Sequence, residues 1–180
     1  MTEAKTKEVS GGRLVFVLFA IAAITALLLG LTNYVTHDRI EALKAEKTAA
    51  AMQEVLPAAS YEALEYTGGD SRVLGVNKAA SGGWVVQVKV PGSQGLIEMM
   101  IGVGADGRVT GVSIISMSET SGLGANAAEP GWRAQFLGAD SHVAIKKDGG
   151  NIDALTGATV TSRAMTNGVN AALDAVASLH

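Results

Sequence analysis

The 180 residues contain no cysteine. That excludes disulfides, thiolate-bound zinc and cysteine-ligated iron-sulfur clusters, so redox chemistry here would need a carried cofactor. Histidine is scarce. His37, His142 and His180 lie far apart, with no pair one helical turn apart, and no metal site is expected. Charged residues make up 17% of the chain against roughly 25% in soluble domains, and the deficit is concentrated near the N-terminus. The net charge is -3 with no basic cluster beyond the N-terminal tail, which argues against nucleic acid as a partner. Clear internal repeats and low-complexity tracts are missing too. The length allows one membrane anchor plus one compact domain of about a hundred-odd residues.

Charge is absent altogether from Leu14 to Val35, "LVFVLFAIAAITALLLGLTNYV", whose only polar breaks are Thr25, Thr32, Asn33 and Tyr34. Some 20 apolar residues at about 1.5 Å each reach roughly 30 Å, the thickness of a bilayer's hydrocarbon core. A cleaved signal peptide is the competing reading, because Lys5, Lys7 and Arg13 resemble a basic n-region. Such peptides have a shorter apolar stretch followed by a small-residue cleavage site, and "GLTNYVTHD" offers none, so a retained anchor is expected. The same three basic residues place the N-terminus in the cytoplasm by the positive-inside tendency. The expected division is a cytoplasmic tail (1–13), a transmembrane helix (14–35), a helical stalk (36–57) and an extracytoplasmic domain (58–180).

The stalk, "HDRIEALKAEKTAAAMQEVLP", is rich in Ala, Glu and Lys, lacks Gly and ends near Pro57. Its apolar positions are Ile40, Leu43, Ala50, Met52, Val55 and Leu56. Period-2 runs bounded by Gly then predict strands over 72–80, 83–90, 95–103 and 108–116, with "HVAIKK" (142–147) as one more. The short links "SGG", "PGSQ" and "GADG" imply antiparallel hairpins. A short amphipathic helix is expected near Trp132 to Leu137 and a terminal helix over 161–179, with Met165, Val169, Ala172 and Val176 facing the sheet. The fold class is α+β, an antiparallel sheet with flanking helices. Met99, Met100, Met117 and Trp84 are expected in the core. Glu98 is expected to face solvent by alternation, and Lys146 and Lys147 to be a solvated pair.

The stretch richest in chemistry is "NIDALTGATVTSRA", residues 151–164, where Thr159, Thr161 and Ser162 crowd the start of the terminal helix. One reading makes a hydroxyl the helix cap, worth about 1 kcal/mol. The other makes the helix start a seat for phosphate, where unpaired N-H groups and the helix dipole favour an anion. Gly157 would let the backbone approach, and Arg163 would add a counter-charge.

Asp153-Ala154-Leu155-Thr156-Gly157-Ala158-Thr159 resembles the D-x-x-[S/T]-G-A-T signature of the FMN-binding domain family. In that family the final Thr is linked through a phosphoester to flavin mononucleotide. A second block, residues 95–124, resembles the family's strand pair followed by an E-T-P-G-L-G loop, with Glu119, Thr120, Gly122, Leu123 and Gly124 keeping the pattern; Trp132 and Phe136 match the W-x-x-x-F beyond it. The chain departs from the family at Gly92-Ser93-Gln94-Gly95, where Tyr-Gly-Gly is common, at Met117 in place of His, and at Ser121 in place of Pro.

The resemblance implies that Thr159 carries covalent FMN and that Thr156, Gly157 and Ala158 form the loop around it, with Asp153 as the acid of the signature. It implies flavin contacts for the loop of Glu119, Thr120, Leu123 and Gly124. It also implies loading from FAD by a magnesium-dependent extracytoplasmic flavin transferase, since an alcohol is too weak a nucleophile to attack a pyrophosphate unaided. An anchor plus one such domain is similar to the G-subunit family of Rnf electron-transport complexes, related to the C-subunit family of the sodium-pumping NADH:quinone reductases. Rnf complexes pass electrons between ferredoxin and NAD, coupled to ion translocation. This implies a bacterial or archaeal cell membrane, membrane and iron-sulfur proteins as partners, and a one-cofactor relay that does not turn over alone. Two other classes stay open: a stand-alone flavin reductase, for which only Arg133, Arg163 and His142 offer substrate-site residues, and a non-redox membrane-tethered module in which Thr159 is a cap.

Overall fold

A computed structural model of the chain describes residues 11–179. Lys5, Lys7 and His180 lie outside the described residues. The chain divides between residues 43 and 44 into two units. The first is helical, formed by the leading part of helix α1, Gly11–Val55. Its large apolar side chains point outward on every side, Phe16 and Phe19 both 70% exposed. A helix apolar all round, with no aqueous face, suits lipid. Three hydroxyls on it are satisfied without water: Thr25, Thr32 and Thr36 each donate to the carbonyl four residues back at 2.8 Å. Among the described residues it is the one helix long and apolar enough to cross a membrane.

The second unit begins with the last residues of α1 and continues through β1 (Tyr61–Leu64), β2 (Val73–Ala79), β3 (Trp84–Pro91), β4 (Leu96–Val103) and β5 (Val109–Ser116). Then follow a short helix α2 (Pro130–Arg133) and the long helix α3 (Thr159–Ala177), with 3-10 turns at Gly124–Ala128, Ala134–Phe136 and Lys146–Asp148. The strands form one antiparallel meander in the order β1-β2-β3-β4-β5. The fold class is α+β, as the hairpin links predict. β1 went unread because its four residues alternate weakly and lie at the sheet edge.

One sheet face carries the main core, built on Val86, Val88, Met99 and Ile101, and α3 covers it with Met165, Val169, Ala172 and Val176, none more than 3% exposed. The expected helix face is the one buried. Trp84 and Met117 are half-buried against this core. The opposite face holds Val85, Met100 and Ile115 under Ala51 and Val55 of α1, with Met52, Leu56 and Tyr61 beside them. Of the other expected stalk positions, Ala50, Ile40 and Leu43 are exposed. The helix end comes close to the sheet: a Cβ on Gly111 would lie 2.8 Å from Val55 Cα, and the Thr110 hydroxyl donates to the Val55 carbonyl at 2.6 Å.

Two expectations are corrected. Glu98 does not face solvent; it is 4% exposed and accepts a 2.6 Å hydrogen bond from Gln87 Nε2. Alternation assigns a residue to a face, and here both faces are covered, so β4 is buried throughout from Ile97 onward. The segment "HVAIKK" is not a strand. It makes one isolated bridge, Ile145 to Ile152, before turning at Lys146–Asp148. Val143 and Ile145 are buried as alternation requires, but the amide of Asn170 stands in for a strand partner. It accepts the Val143 N-H at 2.8 Å and donates to the Val143 carbonyl at 2.9 Å.

Candidate functional site

The hydroxyls at the start of α3 do not cap it. The residue before the helix is Ala158, at φ -129° and ψ 46°, and no side chain supplies a cap. The chain reaches it through Gly157 at φ +74°, a left-handed conformation that glycine adopts without strain. Ser162 N-H donates to the Ala158 carbonyl at 3.0 Å. The amides of Thr159, Val160 and Thr161 before it have no acceptor among the described residues. Unpaired amides at a helix start are a favourable seat for an anion.

The hydroxyls divide sharply. Thr161 is buried and donates to Glu119 Oε2 at 2.9 Å. Ser162, also buried, accepts from Leu155 N-H at 2.9 Å and donates to the Ala158 carbonyl at 3.0 Å. Thr156 is exposed at the turn. Thr159 is half-buried at the first helical position, and its hydroxyl has no partner among the described residues. It is therefore free to carry a group beside three unpaired amides, and the residues present fit a phosphate ester.

The loop after β5 leans on this turn. The Thr120 carbonyl accepts the amides of Leu123 and Ala125, both at 3.1 Å, and Gly122 at φ +75° closes the bend. Leu123 is 43% exposed, and its Cδ2 lies 3.1 Å from where a Cβ on Gly157 would sit. Gly124 is buried where a Cβ would lie 2.6 Å from Glu119 Oε2. Glu119 itself is bound by protein on both oxygens, because Oε1 accepts from the amides of Ser93 (2.7 Å) and Gln94 (3.3 Å). Sequence reasoning missed the involvement of that turn, for which the paired glycines of Gly92-Ser93-Gln94-Gly95 were the only signal.

Asp153 is held by its backbone. Its carbonyl accepts from Trp132 Nε1 at 2.8 Å and its N-H donates to Gln135 Oε1 at 2.7 Å, so the W-x-x-x-F segment braces the signature. Trp132 packs edge-on against Phe136, the ring centres 5.5 Å apart. The Asp153 carboxylate is exposed and pairs with Lys146 Nζ at 2.7 Å, so Lys146 is exposed as expected but partnered by Asp153.

Arg163 does not supply the expected counter-charge. Its guanidinium makes two 2.7 Å bonds to Asp148, holding that carboxyl below its usual range and raising its own pKa. Arg133 is likewise committed, to Glu54 at 3.1 Å, to the Ala128 carbonyl at 3.2 Å and to the Val112 carbonyl. His142 Nε2 lies 3.3 Å from Asn170 Nδ2. Arg133 and His142 line two different pockets and Arg163 is taken up by Asp148, so among the described residues these three are not gathered into the separate substrate site that a stand-alone reductase would need.

The FMN-binding domain model matches residues 92–174, and the model of the RnfG N-terminal region matches residues 10–55. The G subunit of the Na(+)-translocating ferredoxin:NAD(+) oxidoreductase complex of Acetobacterium woodii is 38% identical, over 93% of this chain and 94% of that one. The G subunit of the ion-translocating oxidoreductase complex of Methanosarcina acetivorans is 34% identical, over 95% of this chain and 96% of its own. A solved structure of the C subunit of Na(+)-translocating NADH-quinone reductase from Parabacteroides distasonis superposes with a TM-score of 0.46 at 21% identity, covering 57% of this chain and 59% of that chain. With both family models matched and relatives aligned over nearly their whole lengths, the chain belongs to the G-subunit family of Rnf-type ion-translocating oxidoreductase complexes.

Proposed function

We propose that this chain is the membrane-anchored flavin carrier of an ion-translocating oxidoreductase complex, holding FMN by a phosphoester to the Thr159 hydroxyl. Bound FMN supplies reversible one- and two-electron transfer, and the chain relays electrons between neighbouring membrane and iron-sulfur proteins of a ferredoxin:NAD oxidoreductase. The single observation that carries the attachment site is the free, half-buried hydroxyl of Thr159 beside three unpaired amides, with Thr161 and Ser162 already committed elsewhere. Family membership supports the cofactor and the complex.

In this reading the amides of 159–161 bind the phosphate, and Thr156, Gly157 and Ala158 keep the approach to it narrow and free of bulk. Leu123, whose Cδ2 lies 3.1 Å from where a Cβ on Gly157 would sit, would wall the flavin with Thr120 and Gly124 of the same loop, and the apolar side chain of Val160, 54% exposed, would join them. Asp153, exposed and braced at its backbone, is offered to the flavin transferase that loads the chain. Residues 14–35 sit in lipid, with residues 1–13 in the cytoplasm and the domain of 58–180 beyond the stalk of 36–57 on the outer side. A single cysteine at Asn151 in this cysteine-free chain should react with a membrane-impermeant reagent from outside intact cells. Protection there would reverse the orientation.

The test of the cofactor is an intact mass of the full chain produced with a flavin transferase. One added FMN on the peptide containing Thr159, fluorescent after denaturation, is the expected result. Thr159→Ala should be dark and Thr159→Ser should load. Wild type without the added mass in membranes that hold its partner proteins and transferase would leave the non-redox module as the better account.

A further inference from the structure

The family pattern puts Glu119 beside the flavin, yet the structure spends its bonding capacity inside the protein. Oε1 accepts from Ser93 and Gln94 N-H, and Oε2 accepts from the Thr161 hydroxyl. One carboxylate thus joins the turn between β3 and β4, its own loop and the first turn of α3. Two glycines make the room: a Cβ on Gly92 would collide with Oε1, and one on Gly124 would sit 2.6 Å from Oε2 and 2.7 Å from Thr161 Oγ1. Hydrogen bonds to an ionised acceptor are roughly twice as strong as neutral ones, so this carboxylate can hold three segments that share no ladder. The loop it holds carries Leu123, which rests on Gly157, two residues before Thr159.

We propose that Glu119 is a positioning residue for flavin attachment: its carboxylate clasps the 118–124 loop and the 92–95 turn to α3, and so fixes the wall beside Thr159. The proposal rests on the reading of Thr159 as the attachment residue. The clasp has a second effect. It commits the Thr161 hydroxyl as a donor, leaving Thr159 as the free half-buried hydroxyl among the neighbours at the helix start.

The experiment compares wild type, Glu119→Ala, Glu119→Gln and Thr161→Val as full chains, with and without a flavin transferase. Amide hydrogen exchange reads the clasp in the unloaded chain. Intact mass after a fixed loading time reads attachment, and the absorption spectrum reads the flavin's surroundings. In Glu119→Ala, exchange over 92–96 and 118–126 should rise about tenfold or more while β3 and β4 stay protected. Loading should fall severalfold and the spectrum shift. Glu119→Gln keeps an oxygen for the two amides and should recover most of both, a rescue that general loss of stability would not give. Thr161→Val should loosen 118–126 more than 92–96. Unchanged exchange at both segments in Glu119→Ala overturns the proposal, as do wild-type loading and spectrum despite raised exchange. If Glu119→Ala fails to fold, Thr161→Val decides on the same readouts. A wild type that takes no FMN at Thr159 defeats the proposed function and the positioning role with it, while unloaded exchange still reports whether the clasp exists.

Discussion

The two faces of the sheet are closed by different means. Under α3 the space is filled by volume, with apolar side chains from helix and strands meeting, while the helix's buried polar groups, Thr161, Ser162, Thr166 and Asn170, bond to neighbouring loops or to the helix itself. On the opposite face the end of α1 comes almost onto the sheet backbone at Gly102 and Gly111. Polar groups stitch the rest: Ser113 donates to Glu54 at 2.6 Å, Arg133 pairs with Glu54, and Gln87 donates to Glu98. One face is closed by a packed helix, and the other is a seam between backbone and backbone.

The largest effect should come from breaking the packed face. Met165 is fully buried, and Met165→Ala should cost about 2–5 kcal/mol by lost burial and the cavity left behind. Chemical denaturation of the full chain in detergent measures it. A cost under about 1 kcal/mol would mean that the α3 face is not closed by volume. Next comes the seam. Gly111→Val puts side-chain atoms where Val55 already lies, and overpacking of this kind costs about 1–3 kcal/mol. Hydrogen exchange should rise over residues 51–56 and stay unchanged along α3. Equal loosening of both would deny that the two faces are separable.

A smaller effect should follow from the buried carboxylate. Glu98→Ala leaves the half-buried Gln87 without its acceptor and removes the carboxylate 4.0 Å from Lys44 Nζ, at a cost of about 1 kcal/mol. Removing Gln87 as well, in Glu98→Ala/Gln87→Leu, should recover part of that loss, because the penalty lies in the orphaned amide. Full additivity in the double-mutant cycle would show that the pair is not coupled.

Glu98 also shows where the sequence stopped being legible. The period-2 pattern located all four long strands, because alternation is local and needs no knowledge of the rest of the chain. It could not say what covers the second face, since that depends on where α1 ends in space. The same limit explains "HVAIKK", whose buried Val143 and Ile145 read as a strand although their partner is the Asn170 side chain from 27 residues further along. The stretch 153–159 was legible as a likeness to a family signature, and its position before a helix followed from the apolar spacing of 165–176. The fates of the individual hydroxyls were not legible, because Thr161 is sequestered by a carboxylate 42 residues away. Arg163 was misassigned for a related reason: charge near a helix start suggests an anion site, but the nearest anion is a side chain of the protein itself.

The smallest effects should come from the ion pairs at the margin of the α3 face, and they test whether charge contributes to that face. Arg72 makes three side-chain bonds to Asp70 at 2.7–3.1 Å and reaches the Asn167 carbonyl on α3 at 3.4 Å. The bonds from Arg72 hold the Asp70 carboxyl below its ordinary value of 3.8, and raise the arginine's own pKa. A carboxyl depressed in the folded state takes up protons more readily when unfolded. Its stabilisation is therefore complete above about pH 4 and fades as pH falls through the lower folded value. Asp70→Asn should then lower stability by less than about 1 kcal/mol at pH 7 and flatten part of the acid limb below about pH 4. Asp148→Asn should change less still, because both members of the Asp148–Arg163 pair are open to solvent and screened by salt. Denaturation curves at about pH 3, 4 and 7, each with and without added salt, measure both. A transition centred near about pH 6.5 would contradict this account, since both carboxyls are shifted downward from their ordinary value.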